Sequence, residues 1–520
     1  MLNINIYILA ISTFLFCYFR TRFLMLFFQQ DEYRNSWFLK FIFKRAELID
    51  KKLTFCLLLI WAISLEFPFV VWGIIPLFIY FSYSENDFIE KAKKKLVITT
   101  RVKRILTVDS VLIGLVVLFC TMIEMSQLLM ALISIQLLPF LLIISNLILS
   151  PIEKRVQNKF KNEAIEKINK LKPTVIGITG SYGKTSTKHI LAHILSGNLP
   201  VLWTPGSVNT EMGITRIIRE KLTEEHKYFI AEMGAYFKGS IEKLCKLTNP
   251  QHGIITSIGQ AHYEHFKTQE TIASAKFELG EWVEKNKGIL IVNSSQIEER
   301  FLPKDMPMIK VGKDSDNYIT DILQTEDGLK FNFHTEGNSY EVLVPIYGEH
   351  QAMNIALSIE MALKLGMSMS TILTTLKTLP QINHRLEVLQ RDNGVKIIDD
   401  AYNSNIEGFK SGLNLLQVFP RKRRILITPG MVELGKMHDQ QHYEIGKYAG
   451  ERVDIAIIIR SDRIPTFVKG FSETALKETQ LIQADSFKDA QQWMNNNLQS
   501  GDVVLLENDL TDIYESKRSL

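Results

Sequence analysis

The sequence predicts an α/β protein with two parallel-sheet domains, preceded by an α-helical transmembrane domain. Long apolar runs are confined to the first 150 residues, whereas short apolar runs alternate with amphipathic stretches from Pro173 onward. A glycine-containing loop joins the first predicted strand to a helix. We expect a membrane domain at 1–150, a charged helical linker at 151–172, a phosphate-loop domain at 173–380 and a Rossmann-like domain at 381–520.

Composition excludes several classes of protein. The 520 residues contain 60 Lys and Arg against 56 Asp and Glu, a net charge of +4, which argues against nucleic acid as the main partner. The four cysteines are scattered, three of them in apolar runs and none in a C-x-x-C pair. This pattern is not typical of a disulfide scaffold or a zinc site.

The apolar runs predict five membrane crossings. Residues 3–19 carry no charge and are about long enough to cross a bilayer. A signal peptide is the alternative, but no basic region or small-residue cleavage site precedes Arg20. The run 54–83 predicts a tight hairpin that turns at Glu66–Pro68, and 107–149 predicts a second hairpin that turns near Glu124.

Basic residues in the connecting segments predict the orientation. Segments 20–52, 84–104 and 151–172 are rich in Lys and Arg, which accumulate on the cytoplasmic side of a membrane. The large domain is therefore expected to be cytoplasmic, on a multi-pass protein of the cell membrane. Two alternatives stay open: 54–83 as one tilted or re-entrant element, and 23–48 as either an interfacial amphipathic helix or a cytoplasmic helix.

Beyond the linker, eight short apolar runs predict strands. They are 174–179, 228–232, 253–258, 288–293, 395–400, 424–428, 453–459 and 502–506. Amphipathic helical stretches separate most of them, and this alternation predicts two parallel sheets covered by helices, divided near Pro380.

The stretch TVIGITGSYGKTSTKHILAHILSG (174–197) predicts a phosphate-binding loop. An apolar strand ends at Thr179, and the loop then leads into a helix with its apolar positions on one side. Backbone N–H groups at such a helix N-terminus point at phosphate oxygens. Lys184 would reach the outer phosphates and the Thr185 hydroxyl would ligate Mg²⁺. The predicted nucleotide-binding residues of the loop are Gly180, Ser181, Gly183, Lys184, Thr185 and Ser186.

From here the chain resembles the Mur ligases, which join an amino acid or peptide to a carboxylate in peptidoglycan synthesis. The resemblance covers about 173–520. It is carried by ordered motifs: ITGSYGKTSTK, Asn209-Thr-Glu-Met-Gly213, Ala231-Glu232-Met-Gly234, Ala261-His262-Tyr-Glu-His-Phe266, Ala275-Lys276-Phe-Glu278, His350-x-x-x-Asn354, His384-Arg385-Leu-Glu387, Asp399-Asp400-Ala-Tyr402-Asn403-Ser-Asn405 and Met431-Val-Glu433-Leu-Gly435. The last two are most similar to the D-alanyl-D-alanine-adding branch of the family.

The chain also departs from that branch. Membrane segments stand where the branch has a nucleotide-sugar-binding N-terminal domain. Ser257 takes the place of a frequent asparagine, Gly430 that of the aspartate of G-D-M, and Ile406 that of a proline. Near the C-terminus, Glu507-Asn508-Asp509 replaces a basic turn. These departures concern the acceptor and the amine substrate and leave the ATP chemistry intact.

The resemblance implies ATP and Mg²⁺ as cofactors and assigns catalytic roles. A metal would be held by Thr185 and Glu232, and a second metal by His262 and by Lys276 carbamylated with CO₂. Arg385 would act on the phosphates with Lys184. The alternative interpretations are a solvated strand-end acid for Glu232, a loop histidine for His262 and an unmodified surface lysine for Lys276.

Further residues are assigned to the nucleotide and the substrates. Asn354 would contact adenine, and Asp400 the ribose or the hinge of the last domain. Asn209, Tyr402, Asn403 and Asn405 would bind substrate, although the last three are equally typical of a turn after a strand. His438 and His442 lie four apart on a predicted helix, where a solvated face is favoured over a metal site.

The function expected is that of a membrane-anchored ATP-dependent amide ligase, with an acyl-phosphate intermediate and an amine as second substrate. Three acceptors compete: a muramyl peptide, a lipid-linked precursor and a poly-γ-glutamyl chain. Membrane lipid and cell-wall synthesis enzymes would be its partners. Two rival hypotheses are an ATP-driven transporter and an inactive scaffold. The sequence contains neither an ABC signature nor a conventional Walker A motif, which argues against the transporter.

Overall fold

The computed structural model describes residues 2–508 except for 31–32, 45–50, 93–94, 124, 260–267, 402–404, 421, 433 and 477. The chain forms two compact units, Met1–Asn158 with Leu510–Leu520, and Lys159–Asp509. The first unit is helical. Its helices are α1 (Leu2–Gln30), α2 (Asn35–Lys44), α3 (Lys51–Ser64), α4 (Ile74–Lys91), α5 (Thr100–Met122) and α6 (Gln127–Leu171), with a 3₁₀ turn at Pro68–Gly73.

Four helical stretches of this unit are long and apolar enough to cross a membrane: Ile6–Gln30, Pro68–Glu90, Thr100–Met122 and Gln127–Leu171. A fifth apolar helix, Lys52–Ser64, is shorter than a full crossing. The break at 65–67 falls at the first predicted hairpin turn. The second predicted turn, near Glu124, falls on a residue outside those described. The count of five crossings stays a prediction.

The first predicted crossing, at 3–19, is shorter than the helix that contains it. The first helix does not end near residue 19 but continues to Gln30, because Arg20 is buried beside Glu85 and its charge needs no exit to water. Segment 23–48 is consequently divided between α1 and α2. Residues 151–171 of the predicted helical linker belong to α6, which passes through Pro151 without interruption, and the division into membrane domain and linker stays a prediction.

The second unit contains the sheets. Its helices are the last turns of α6, then α7 (Lys184–Ser196), α8 (Glu211–Lys221), α9 (Ser240–Thr248), α10 (Gln269–Lys285), α11 (Gln351–Lys364), α12 (Met369–Leu376), α13 (Ile406–Val418), α14 (His438–Gly450), α15 (Pro465–Thr474) and α16 (Phe487–Asn497). Its strands are β1 (Thr174–Thr179), β2 (Val201–Trp203), β3 (Tyr228–Glu232), β4 (His252–Ile255), β5 (Leu290–Asn293), β6 (Ile309–Val311), β7 (Tyr318–Thr325), β8 (Gly328–Thr335), β9 (Asn338–Val344), β10 (Glu387–Gln390), β11 (Lys396–Asp400), β12 (Arg424–Thr428), β13 (Ile455–Ile459), β14 (Gln480–Ala484) and β15 (Val503–Glu507).

Three sheets result from this order of elements. The first has the strand order β2-β3-β1-β4-β5-β6 and is parallel throughout, with β1 in its interior. An antiparallel meander β7-β8-β9 follows. The last sheet has the order β10-β11-β15-β12-β13-β14 and is parallel except for β10. The α/β prediction is confirmed, and all eight predicted strands are present.

The interior position of β1 follows from its sequence. Val175, Ile176 and Ile178 are fully buried, as expected for a parallel strand that is covered on both faces. Helices α7 and α11 bury one face of the sheet, whereas α8, α9 and α10 bury the other. Because all of these strands run the same way, β1 and β3 end at one edge, and this edge carries the candidate site.

Candidate active site

The turn between β1 and α7 is built on two glycines. Gly180 has φ +154° and Gly183 has φ +81°. A Cβ atom on Gly180 would lie 1.9 Å from Thr256 Oγ1, and one on Gly183 would lie 2.5 Å from Asn354 Oδ1. Only glycine combines these dihedral angles with such close neighbours, so the sequence spacing sets the shape of the loop.

The loop is held open at the start of a helix of 13 residues. Its backbone is anchored to the neighbouring loop that follows β4, since Ser181 N–H donates to Ser257 O at 2.9 Å and Tyr182 N–H donates to Ser257 Oγ at 2.8 Å. Ser181 Oγ also donates to Gly259 O at 3.0 Å. The arrangement leaves a turn of backbone before a helix N-terminus, which is a geometry that binds anions.

Lys184 folds back over this turn. Its Nζ donates to Gly180 O at 2.7 Å and to Ser181 O at 3.1 Å. Burial lowers the pKa of Lys184, an effect that the nearby Glu232 carboxylate partly opposes. The ammonium is thus paired only with neutral carbonyls in these two bonds, and a phosphate group would be a stronger partner.

Glu232 at the end of β3 gathers three side chains, and we call Thr185, Lys188, Asn209 and Glu232 the Glu232 cluster. Thr185 Oγ1 and Lys188 Nζ donate to Glu232 Oε2 at 3.0 and 2.8 Å, and Asn209 Nδ2 donates to Oε1 at 3.1 Å. Burial alone would raise the pKa of Glu232, but the ammonium groups of Lys188 and Lys184 hold it below its ordinary value. The carboxylate is therefore charged.

The hydroxyl and carboxylate of this cluster fit a divalent cation. Mg²⁺ prefers hard oxygen ligands and usually takes one or two of them from the protein and the rest from water and phosphate. Thr185 Oγ1 and Glu232 Oε2 lie at hydrogen-bond distance beside the phosphate loop. Thr185 and Glu232 thus stay the predicted metal ligands. Asn209 contacts Glu232, and its predicted role in substrate binding stays a prediction.

Lys276 lies on α10, whose sequence fits the A-K-x-E motif. Its side chain is only 4% exposed. Burial, together with the charge of Lys184, lowers the pKa of Lys276 well below its ordinary value. The alternative of a surface lysine is therefore wrong, and carbamylation of Lys276 stays a prediction.

Arg385 and Asp400 belong to the segment that begins the last sheet. The positive charge of Arg385 contributes to lowering the pKa of Lys184 and of Lys188. Asp400 ends β11 and is buried, and burial raises its pKa while Arg385 opposes the rise. The charge of Arg385 thus acts on Asp400 and on the two lysines, and its contact with phosphate stays a prediction.

Two predicted nucleotide contacts have protein partners instead. Asn354 accepts a hydrogen bond from Thr187 Oγ1 at 3.2 Å, and its Nδ2 donates to Gln351 Oε1 at 2.9 Å. Ser186 is buried and accepts from Gln351 Nε2 at 3.3 Å. These hydrogen bonds join α7, the helix that follows the loop, to α11. Contact of Asn354 or Ser186 with a nucleotide stays a prediction.

Of the remaining predicted residues, His262, Tyr402 and Asn403 lie outside the described residues. Asn405 is the N-cap of α13, since its Oδ1 accepts from Glu407 N–H and Gly408 N–H at 3.1 and 3.0 Å. This is the turn-forming alternative of the sequence analysis. A role in substrate binding stays a prediction for all three of the residues Tyr402, Asn403 and Asn405.

The sequence analysis missed Lys188 and misjudged His442. Lys188 lies four residues after Lys184 on the same helix, and this spacing on the inner face was the available signal. His442 is fully buried rather than solvated. Its Nε2 accepts from Met431 N–H at 2.9 Å and its Nδ1 lies 2.7 Å from His438 O, so both ring nitrogens are engaged with the backbone.

Fold and site together define a protein of the phosphate-loop class, in which a loop at the end of a parallel strand lies beside the buried acid Glu232 and the cationic side chains of Lys184 and Lys188. Comparison with known proteins gives the family. The Mur ligase middle domain matches residues 178–362, and the Mur ligase glutamate ligase domain matches residues 384–507. The two matches span more than half of the chain, which belongs to the Mur ligase family of ATP-dependent carbon–nitrogen ligases.

Several of the similar proteins are D-alanyl-D-alanine-adding ligases of that family. A UDP-N-acetylmuramoyl-tripeptide–D-alanyl-D-alanine ligase of Bacillus subtilis is 27% identical over 68% of this chain and 78% of its own length. The ligase of that name from Mycobacterium tuberculosis is 31% identical over 55% of this chain and 58% of its own length. The crystal structure of MurF ligase from Thermotoga maritima in complex with ADP has a TM-score of 0.59 and 27% identity, and covers 68% of this chain and 80% of that one.

Proposed function

We propose that this protein is an ATP-dependent amide ligase that activates a carboxylate as an acyl phosphate and joins it to an amine, as the D-alanyl-D-alanine-adding ligases named above do with their tripeptide. The observation that carries the proposal is the placement of Lys184, Thr185 and Glu232 around one phosphate loop. Membership of the Mur ligase family supports transfer to a carboxylate rather than to water.

The reaction begins with two anions that repel each other. A carboxylate about 4 Å from the γ-phosphate is opposed by about 4 kcal/mol at an effective dielectric constant near 20. Lys184, which lies over the loop, would supply positive charge on the phosphate side, and the charge of Arg385 would add to it. Their fixed positions stabilise the charge of the transferring phosphoryl group without reorganisation of solvent.

Mg²⁺ bound by Thr185 and Glu232 would neutralise the outer phosphates. Lys276, as a carbamate, would become an anion that helps to orient the acyl phosphate, and its burial and lowered pKa support this modification. His262 would complete that site. The amine then attacks the acyl carbon, and phosphate leaves. Residues Tyr402, Asn403 and Asn405 are proposed to face the amine because they follow β11, next to Asp400.

We further propose that the ligase is anchored in the cell membrane with its second unit in the cytoplasm. The four long apolar helices support this proposal. Many of their large apolar side chains are exposed, including Leu115, Leu118 and Phe119 on α5 and Leu147 and Ile148 on α6. Exposed apolar surface of this extent is typical of contact with lipid.

A lipid-linked precursor is the second candidate acceptor, beside the UDP-linked muramyl peptide of the named relatives. The observation that favours it is the set of apolar helices at 2–171, which would hold the ligase at the surface where such a precursor lies. A carboxylate presented at the membrane would need no soluble nucleotide-sugar domain for its capture.

The experiment is phosphate release by the full chain in detergent, with ATP and Mg²⁺. The panel of carboxylates contains UDP-muramyl peptides, lipid-linked precursors and poly-γ-glutamate, and the panel of amines contains D-Ala-D-Ala and single amino acids. Release that requires one member of each panel, with formation of an amide, supports the proposal. ATP binding without release for every pair would favour the scaffold hypothesis.

A further inference from the structure

Lys188 carries a role that the reaction does not assign to it. Its side chain is fully buried, and so is that of Glu232, at 0% and 1% exposure. Its Nζ lies 2.8 Å from Glu232 Oε2 and also donates to Gly206 O. A buried ammonium fixed between a carboxylate and a carbonyl has no freedom to reach the phosphate loop.

The partner of Lys188 is the oxygen atom that a metal would need. Glu232 Oε2 accepts both from Lys188 Nζ and from Thr185 Oγ1 at 3.0 Å. The Thr185 hydroxyl thus directs its proton at the carboxylate. Both proposed ligands of Mg²⁺ are consequently engaged with protein donors in this state.

The charges around the cluster point the same way. Lys184 and Lys188 together exceed the single charge of Glu232, and Arg385 adds a further positive charge nearby. A divalent cation entering alone would face this excess in a region of low dielectric constant. Nucleotide phosphates would bring the negative charge that balances it.

We propose that Lys188 is a built-in counter-ion of Glu232, a positioning residue that keeps the carboxylate ordered and charged but closed to Mg²⁺ until nucleotide binds. This inference rests on the proposed metal site at Thr185 and Glu232. The metal therefore enters together with the nucleotide and not before it, and it displaces the hydroxyl proton of Thr185 from the carboxylate.

The test measures Mn²⁺ binding to the nucleotide-free full chain in detergent. The electron paramagnetic resonance signal of free Mn²⁺ reports how much of the metal is bound. We expect the natural protein to bind Mn²⁺ at this site only when ADP is present. Lys188→Met removes the ammonium at nearly constant volume and is expected to bind Mn²⁺ without nucleotide at least about tenfold more tightly. Lys246→Met, which removes an exposed ammonium paired with Glu242, is the matched control and should behave as the natural protein.

Two further variants keep the test decisive. Lys188→Gln retains an N–H donor toward Glu232 without the charge and replaces Lys188→Met if that variant does not fold. In Lys188→Met/Glu232→Gln the carboxylate charge is lost, and the gained binding should disappear. A purely structural role of Lys188 would change the melting temperature without creating a metal site.

The outcomes separate the two proposals. If the natural protein binds no Mn²⁺ even with ADP, the proposed metal site itself is wrong. If it binds with ADP but neither Lys188 variant gains nucleotide-free binding, the metal site stands and the counter-ion role is overturned. Tight Mn²⁺ binding by the nucleotide-free natural protein overturns that role whether or not the variants fold.

Discussion

Lys184→Ala tests the proposed interaction of this ammonium with the outer phosphates of ATP. In the nucleotide-free loop the ammonium donates to Gly180 O and Ser181 O at 2.7 and 3.1 Å. Its removal takes a donor from these two carbonyls but also removes the cost of burying the ammonium, so we expect little change in folding stability. With nucleotide present, the same removal deletes a charge-assisted bond to phosphate, which contributes about 1.5–3 kcal/mol to binding.

The effect on turnover should be larger than the effect on binding. A unit charge at about 4 Å from the transferring group contributes about 4 kcal/mol at an effective dielectric constant near 20. This corresponds to about a thousandfold loss of rate. We therefore expect Lys184→Ala to bind ADP about 10- to 100-fold more weakly, and to lose turnover below detection in a steady-state assay.

Single-turnover phosphate release and calorimetric ADP titration measure the two effects separately. Lys246→Ala removes an exposed lysine of α9 and serves as the control with the same change of charge. Turnover of Lys184→Ala within tenfold of the natural protein would refute the assignment of the phosphate loop. A large drop in melting temperature would instead show that Lys184 supports the fold.

The remaining predictions concern the carbamate, the loop and a buried histidine. Lys276→Ala should inactivate the enzyme, and acetate or propionate should partly restore phosphate release by replacing the carbamate; undiminished activity of the variant would contradict this role. Gly180→Ala places a Cβ atom 1.9 Å from Thr256 Oγ1, so ADP binding should be lost together with about 2 kcal/mol or more of stability by thermal denaturation. Burial lowers the pKa of His442 to about 4, while the unfolded chain retains a value near 6.5. Between these two pH values the unfolded chain binds the extra proton, so the free energy of unfolding should fall by about 3 kcal/mol as the pH falls through this window. His442→Asn should flatten the dependence measured by urea denaturation, and an unchanged slope would contradict it.

The strands that form the interiors of the two large sheets could be predicted, because covered parallel strands are continuous apolar runs such as VIGI at 175–178. The missed strands lack this signal. Strands β2 and β6 have three residues each, and β14 is an edge strand with exposed positions. The meander β7–β9 alternates apolar and polar residues, and its hairpin signal, Asp327-Gly328, was overlooked.

The sequence predicted those residues of the candidate site whose type suits a single role at their position in the motif. Glycines, Lys184, Thr185 and Glu232 lie where the motif spacing indicates. Residues with several possible partners were harder to assign, because the choice is made by tertiary packing. Asn209 contacts Glu232 and Asn405 caps a helix. In the sequence, Lys188 resembles any other lysine on a helix. Its pairing with Glu232 depends on the packing of β3 beside α7.

In the helical first unit, the position of a charged residue in the sequence did not predict where a helix ends. Arg20 marks the end of the first apolar run in the sequence, yet α1 continues for ten more residues. The reason is the distant residue Glu85, which pairs with Arg20 from α4. Pairing between helices is not visible in hydropathy, so buried charge was misread as a helix end.

Phosphate release in water enriched in ¹⁸O tests most directly whether the γ-phosphoryl group passes to a carboxylate. The full chain would turn over ATP with its carboxylate and amine, and the inorganic phosphate would be analysed by mass spectrometry. A ligase draws the fourth oxygen from the carboxylate, so we expect phosphate that contains no solvent oxygen. One ¹⁸O atom in each phosphate would mean transfer to water and would contradict the proposed function.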